Sequence, residues 1–306
     1  MSAPALLPEV AAALAEPLFG HAQPLKVAWN WNRGGNPDDL GKAEQLLAVL
    51  AGKYPEQPVL FEQAFNLVRQ KRPLEALRIL EAADDKFPRT LGEDLLSLWG
   101  RIFKDRGDAH LKAGDAAAAE AAFRDAQRLY DRAYALHRDR FPGINVATLA
   151  FLRSGLMKAM ADAVVRGSAS DDDVQTARGL HAAAATFRAD AKAKAHDVLR
   201  LRDRWKARLP DDTIWMAATA AEAHLLADNW DAAAKEYAAA LHPDKQPKPF
   251  HFDSVVGQVR RLKAGFERLG DKFGGPLADH AAFFDDLAAK ANVAWTAPLD
   301  PEPLHP

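Results

Sequence analysis

The chain contains no cysteine. That absence excludes disulfides, thiol catalysis and thiolate metal sites, and it fits a reducing compartment. Long apolar runs are missing too, and no uninterrupted stretch approaches the roughly 20 residues of a membrane-spanning helix. From Met1 to Leu14 there is no basic region, and Pro4, Pro8 and Glu9 interrupt the apolar residues, so no signal peptide is expected. Neither sign of charge dominates. With 40 Lys and Arg against 42 Asp and Glu in 306 residues, the formal net charge of −2 gives no pull towards nucleic acid or anionic membrane. The ten histidines are scattered without His-Glu-x-x-His or paired-ligand spacing, so neither metal nor cofactor is expected. No Ser, His and Asp arrangement stands out, and no pair of acids is marked for general acid and base work. The expectation is a cytoplasmic protein that is not an enzyme.

What is present points to helices. Alanine dominates, with Leu, Arg, Asp and Lys behind it, while Val, Ile and Thr are sparse, so strong helix formers outweigh β-branched residues. The stretch from Trp99 to Thr148 shows the pattern best. At 100° per residue, Leu95, Leu96, Leu98, Trp99, Ile102 and Phe103 share one side of a helix, and Ser97, Arg101, Lys104, Asp105 and Asp108 share the other. Ala113-Gly114-Asp115 then supplies a turn and a helix cap, and a returning arm runs to Arg140.

A period appears in the helix ends. Lys53-Tyr54-Pro55, Lys86-Phe87-Pro88, Arg140-Phe141-Pro142 and Arg208-Leu209-Pro210 are versions of one basic, apolar, proline terminus, with Leu241-His242-Pro243 a looser fifth. Pro55 and Pro88 are 33 residues apart, as are Pro210 and Pro243; Pro142 to Pro210 is 68, and only the 54 from Pro88 to Pro142 departs. Small residues recur inside the units, at Ala64, Ala76 and Ala83 and again at Ala221, Ala233 and Ala240, where paired helices must approach closely. Paired helices repeating at about 34 residues with a terminal proline are the tetratricopeptide signature. The expected fold is all-α, a tetratricopeptide-like α-solenoid of antiparallel helix pairs over residues 38–294.

Residues 1–37 are expected to be an irregular amino-terminal cap, with a short helix over 8–18 and Trp29 and Trp31 in a loop. There the tryptophans either plug the open end of the array or stack on a ligand. The arm over 172–209 is too long for one repeat helix and is expected to overhang or to break near Gly179. Residues 242–250 read as a linker, 253–269 and 276–293 as a last helix pair, and 295–306 as a disordered proline-rich tail.

Three blocks carry a resemblance: Gly100-Arg101-Ile102-Phe103-Lys104-Asp105-Arg106; Phe141-Pro142-Gly143-Ile144-Asn145-Val146-Ala147-Thr148-Leu149; and Thr213-Ile214-Trp215 with Ala220-Ala221-Glu222-Ala223 and Asn229-Trp230-Asp231-Ala232-Ala233. In that order they resemble the TRAF-binding region of apoptosis signal-regulating kinases, a tetratricopeptide family with many bacterial members. The resemblance implies a regulatory scaffold in the kinases. In the bacterial relatives it implies a sensor of nucleotide-like ligands in stress or conflict systems, joined to an effector. This chain shows no kinase motif and no Gly-rich phosphate loop, and no second domain is expected in it, so a separate effector protein would supply any output.

In such a superhelix the first helix of each pair lines the concave surface. Arg101, Lys104, Asp105 and Asp108 form one stripe, Asn145 and Thr148 open the next, and Trp215, Thr219 and Glu222 form a third at i, i+4 and i+7. Cations for phosphate, an indole for stacking and a carboxylate for hydroxyls suit a small anionic, nucleotide-like ligand. A partner protein segment is the alternative occupant, and an uncharacterised hydrolase or transferase working in the groove is a second alternative. Each residue also has a plain structural reading: Arg101 and Asp105 as a helix-face ion pair, Asn145 as the cap of the helix after Pro142-Gly143, Trp215 as packing between repeats. The stretch 188–208, eight basic residues against three Asp, reads as a solvated helix face rather than a nucleic-acid site.

Overall fold

A computed structural model describes residues 6–15, 21–34, 36–167, 170–208, 212–242 and 249–270, the last with side chains from 254. Every regular element among them is an α-helix: α1 (Pro8–Leu14), α2 (Ala22–Arg33), α3 (Pro37–Lys53), α4 (Gln57–Arg69), α5 (Pro73–Lys86), α6 (Glu93–Lys112), α7 (Ala116–His137), α8 (Arg140–Gly167), α9 (Asp171–Arg200), α10 (Arg202–Arg208), α11 (Thr213–Leu226), α12 (Trp230–Ala240) and α13 (Pro249–Leu269). The fold is all-α and built of helix pairs joined by short turns, as the period predicts. The chain divides into two compact units with the boundary inside α6, between Ile102 and Phe103. The expected helix at 276–293 and tail at 295–306 lie outside the described residues.

In the first unit, α3 starts where its sequence says it should. Pro37 has no amide hydrogen to waste in the first turn, the Asn36 side chain accepts from the Asp38 amide at 3.1 Å, and Asp38 and Asp39 face the positive end of the helix. Leu46, Leu47 and Leu50 of α3 pack with Val10, Ala28 and Val59 into the unit's core. One expectation fails here. Residues 22–33 form α2 rather than a loop, so Trp29 and Trp31 stand on a helix. The helical period is present, but Pro24 and the flanking glycines read as turn signals, and Pro24 falls in the first turn of α2, where a missing amide hydrogen costs nothing. Asn32 is fully buried, and its Nδ2 donates to the Glu62 carboxylate at 2.9 Å while its Oδ1 accepts from Asn66 at 2.8 Å. Trp31 packs against the core, whereas Trp29 stays exposed under the Arg33 guanidinium, 4.4 Å from its ring.

The second unit is organised around α8. Nearly every residue from Pro142 to Leu156 is buried, which marks a helix enclosed on all sides. α7, α9, α11 and α13 surround it. Asp115 caps α7 by accepting from the Ala118 amide at 2.9 Å, as the turn sequence predicts. Arg140-Phe141-Pro142, expected to close a helix, instead opens α8. The turn is made earlier, at Arg138, whose left-handed φ of 53° ends α7, and proline is harmless in a first helical turn. Of the two readings of the long arm, the break near Gly179 is the one that fails. α9 runs unbroken through Gly179 and is interrupted only at Leu201, because small residues at Ala177, Ala184, Ala191 and Ala195 let it lie along α8. A solvent-side glycine costs such a helix about 1 kcal/mol, too little to break it.

Candidate functional site

Four helices of the second unit bring polar side chains to one place. From α6, Lys104 turns inward and is only 7 % exposed, and its Nζ donates to Asn145 Oδ1 on α8 at 2.6 Å. Asn145 in turn donates to the Phe141 carbonyl at 2.8 Å, which fixes its orientation. The Lys104 ammonium also stands 5.9 Å from the ring centroid of buried Tyr130. One turn further along α8 is Thr148, fully buried, whose hydroxyl accepts from Gln258 of α13 at 3.2 Å. Gln258 also hydrogen-bonds to the carboxylate of buried Glu222 on α11. Arg261, one turn along α13, donates to Asp108 at 2.5 Å and to Asp105 at 3.2 Å, both on α6.

Burial sets the electrostatics. It pushes the Glu222 carboxyl up to about 7, against the pull of Lys104, the Gln258 hydrogen bond and Arg261. Burial, together with the charge of Arg261, brings the Lys104 ammonium down to about 8, although Asp105, Asp108 and Glu222 oppose this. Burial works against Arg261 as well, but Asp108 and Asp105 outweigh it and hold the guanidinium more firmly protonated than usual. Tyr237 of α12 is raised well above its ordinary value by burial and by the charge of Glu222, so it stays neutral. The result is a closely compensated network with two cations and three acids. No group of three or more His, Asp or Glu fit to hold a metal occurs among the described residues.

Of the residues singled out by sequence, Lys104, Asp105, Asn145, Thr148 and Glu222 meet in this network. Thr219 is buried and Trp215 half-buried on the same α11 stripe as Glu222. Arg101 is exposed and falls in the first unit. Asn145 is not a helix cap, since α8 begins five residues earlier at Arg140. The charged side of α6 is not an open wall at Lys104, because neighbouring helices cover it. Gln258 and Arg261 were missed by the sequence reading, which took α13 as one more arm of the stack. Their signal is a pair of polar residues at i, i+3 set among Val255, Val256, Val259 and Leu262. The basic stretch at 188–208 is tied to acids of its own chain: Lys192 to Asp228 at 3.3 Å, Arg200 to Asp197 at 2.6 Å, Arg202 to Glu236 at 2.5 Å.

Residues 39–150 match the family described as Tetratricopeptide Repeats-Sensor. The match covers the repeats of the first unit and reaches through α6, α7 and the opening of α8, so it includes Lys104, Asp105, Asn145 and Thr148. No curated protein and no solved structure matches the chain. Among the described residues no helix is long and apolar enough to cross a membrane.

Proposed function

We propose that this chain is a non-enzymatic helical-repeat binding module, a sensor or scaffold, that recognises a partner protein segment at the solvent edge of the polar network of α6, α8, α11 and α13. The observation that carries the reading is the charge at that edge. The network sets two cations, Lys104 and Arg261, against Asp105, Asp108 and Glu222, with Asn145 and Thr148 as neutral hydrogen-bonding groups, and Asp105 is the acid that reaches solvent, 45 % exposed. A basic segment meets the exposed Asp105 carboxylate at the edge of this network, beside Arg261. The match to the sensor family supports the binding role and leaves the occupant open.

A melting experiment tests this, because anything that binds only the folded state raises the melting temperature. A helical peptide bearing arginine among aliphatic residues is expected to raise it, and its glutamate counterpart and adenine and guanine nucleotides are not. Asp105→Asn with Asp108→Asn is expected to erase the shift. Stabilisation by nucleotide that Lys104→Met abolishes overturns the segment reading in favour of the anionic ligand.

A further inference from the structure

In the first unit, α2 packs on α3 and also on α4, and the two helices bring a row of aromatic rings together. Lys26, Trp29 and Arg33 recur at i, i+3 and i+7 on α2, and Phe61, Phe65 and Arg69 at i, i+4 and i+8 on α4, so each set shares one side of its helix. The Arg33 guanidinium joins the two sets. It lies 4.4 Å from the Trp29 ring centroid and 4.7 Å from that of Phe65, which stacks on Phe61 at 5.9 Å. Arg33 is pinned where it stands. Its Nη1 donates to the Glu62 carboxylate at 2.8 Å and to the Trp29 carbonyl at 3.3 Å, and Glu62 is itself buried and accepts from buried Asn32 at 2.9 Å. Yet the row is not part of the core. Trp29 is 47 % exposed, Phe61 and Phe65 are half-buried, and Lys26 and Arg69 are exposed one helical turn from Trp29 and from Phe65. Rings fixed in place at the surface lose little freedom when something docks on them.

We propose that this aromatic row is a docking site for a polyproline II segment, and that its occupant is the chain's own stretch at 298–306. That stretch reads Pro298-Leu299-Asp300-Pro301-Glu302-Pro303-Leu304-His305-Pro306, two Pro-x-x-Pro motifs with two acids and no Lys or Arg. Proline fixes such a segment in the extended helix before it binds, and aromatic-lined surfaces are what recognise it. Spacing fits the pair. The position of Arg33 puts the Trp29 and Phe65 rings no more than about 9 Å apart, the pitch of one polyproline II turn, so prolines at i and i+3 meet successive rings. Charge fits as well. Glu62 is already matched to Arg33, which leaves Lys26 and Arg69 to attract Asp300 and Glu302. Reach is ample. With 276–293 helical, as the sequence predicts, residues 271–297 still span on the order of 50 Å, against a radius of gyration of about 13 Å for a unit of this size. The row shares no residue with the network at Lys104, so either reading can fail alone.

Because the chain has no cysteine, a pair of introduced thiols reports on this contact alone. In the full-length chain, Asn30→Cys with Leu299→Cys is expected to form an intramolecular disulfide about tenfold faster or more than Glu81→Cys with Leu299→Cys, the effective concentration at the row being higher. Replacing Pro298, Pro301 and Pro303 by Ala is expected to bring the rate down to that control. A fluorescent peptide with the sequence of residues 295–306 supplies the second readout. It is expected to bind the full-length chain carrying those three Ala substitutions about tenfold or more tightly than the parent, whose own segment competes. Adding Trp29→Ala is expected to cost about tenfold or more. If Trp29→Ala does not fold, Lys26→Glu at an exposed position tests the same row, with a loss of the same direction. Equal binding to parent and triple variant, or thiols that pair only between chains as concentration rises, overturns the chain's own segment as occupant. Absence of peptide binding, or binding that neither Trp29→Ala nor Lys26→Glu weakens, overturns the site.

Discussion

Glu222 is held in a state its side chain does not choose in water. Burial pushes its carboxyl up to about 7 from an ordinary value of 4.5, and Lys104 beside it is brought down to about 8 from 10.5. Between about pH 4.5 and 7 the unfolded chain has released the Glu222 proton and the folded chain keeps it, so stability falls as pH rises through that window. From about pH 8 to 10.5 the unfolded chain holds the Lys104 proton that the folded chain has lost, so stability rises. The pair thus places a minimum near neutrality. Glu222→Gln is expected to remove the acid-side slope, so that the variant's stability changes little between pH 5 and 7 while the parent's falls. Urea unfolding of parent and variant at pH 5, 6 and 7 measures it, and parallel curves across the three would refute it. Lys104, Asp105, Asn145, Thr148 and Glu222 were legible in the sequence because the helical period alone puts them on shared stripes. Gln258 and Arg261 were not, since no local pattern says which face of a helix closes over residues more than a hundred positions away.

At the scale of elements, α8 is fastened to α7 by an ion pair in low dielectric. Arg153 donates from Nη2 and Nε to Glu120 at 2.7 and 2.9 Å and from Nη1 to Gln127 at 2.9 Å, and its guanidinium lies 4.0 Å from the Phe187 ring centroid of α9. Both charged side chains are only 11 % exposed, and Glu120 keeps a second cation, Arg124 at 3.6 Å, when Arg153 is removed, whereas removing Glu120 strands the Arg153 guanidinium. Glu120→Met is expected to cost roughly 3–5 kcal/mol, Arg153→Met less, and the two together to recover most of the larger loss. A double-mutant cycle by chemical denaturation decides it: additive losses would show that the pair contributes nothing as a pair. The element boundaries show what local chemistry can carry. Ala113-Gly114-Asp115 was readable because turn and cap are both local, with Gly114 at a φ of 80°. Arg140-Phe141-Pro142 was misread because a proline after a basic and an apolar residue serves a helix end and a first turn equally well. Trp29 and Trp31 were placed in a loop because Gly20, Pro24, Gly34 and Gly35 around them are turn signals, which do not tell a proline in a first helical turn from one in a loop.

At the scale of the whole chain, the two compact units have separate cores. One is built on Leu46, Leu47, Leu50 and Val59; the other runs from Ala119 and Phe123 through α8 and α11 to Phe266. Repeat proteins draw their stability from each unit and its nearest neighbours, so damage stays local unless the interface terms dominate. Leu46 is fully buried, and Leu46→Ala is expected to cost about 2–5 kcal/mol through lost transfer energy and the cavity left behind. Native-state hydrogen exchange shows where that loss is felt. Amides of α3 and α4 are expected to exchange one hundred-fold faster or more, while those of α8 and α11 keep their protection. The helix that crosses the boundary, α6, is the element to watch. Its first half contributes Leu95, Leu96, Leu98 and Ile102 on the first side of the division, and its second half carries Lys104, Asp105 and Asp108 on the other. If the loss reaches Lys104 and the amides around it, the polar network is coupled to the repeats before it, and a ligand bound at the network would stabilise them by the same free energy. If exchange around Lys104 is unchanged while α3 and α4 open, the polar network belongs to the second unit alone.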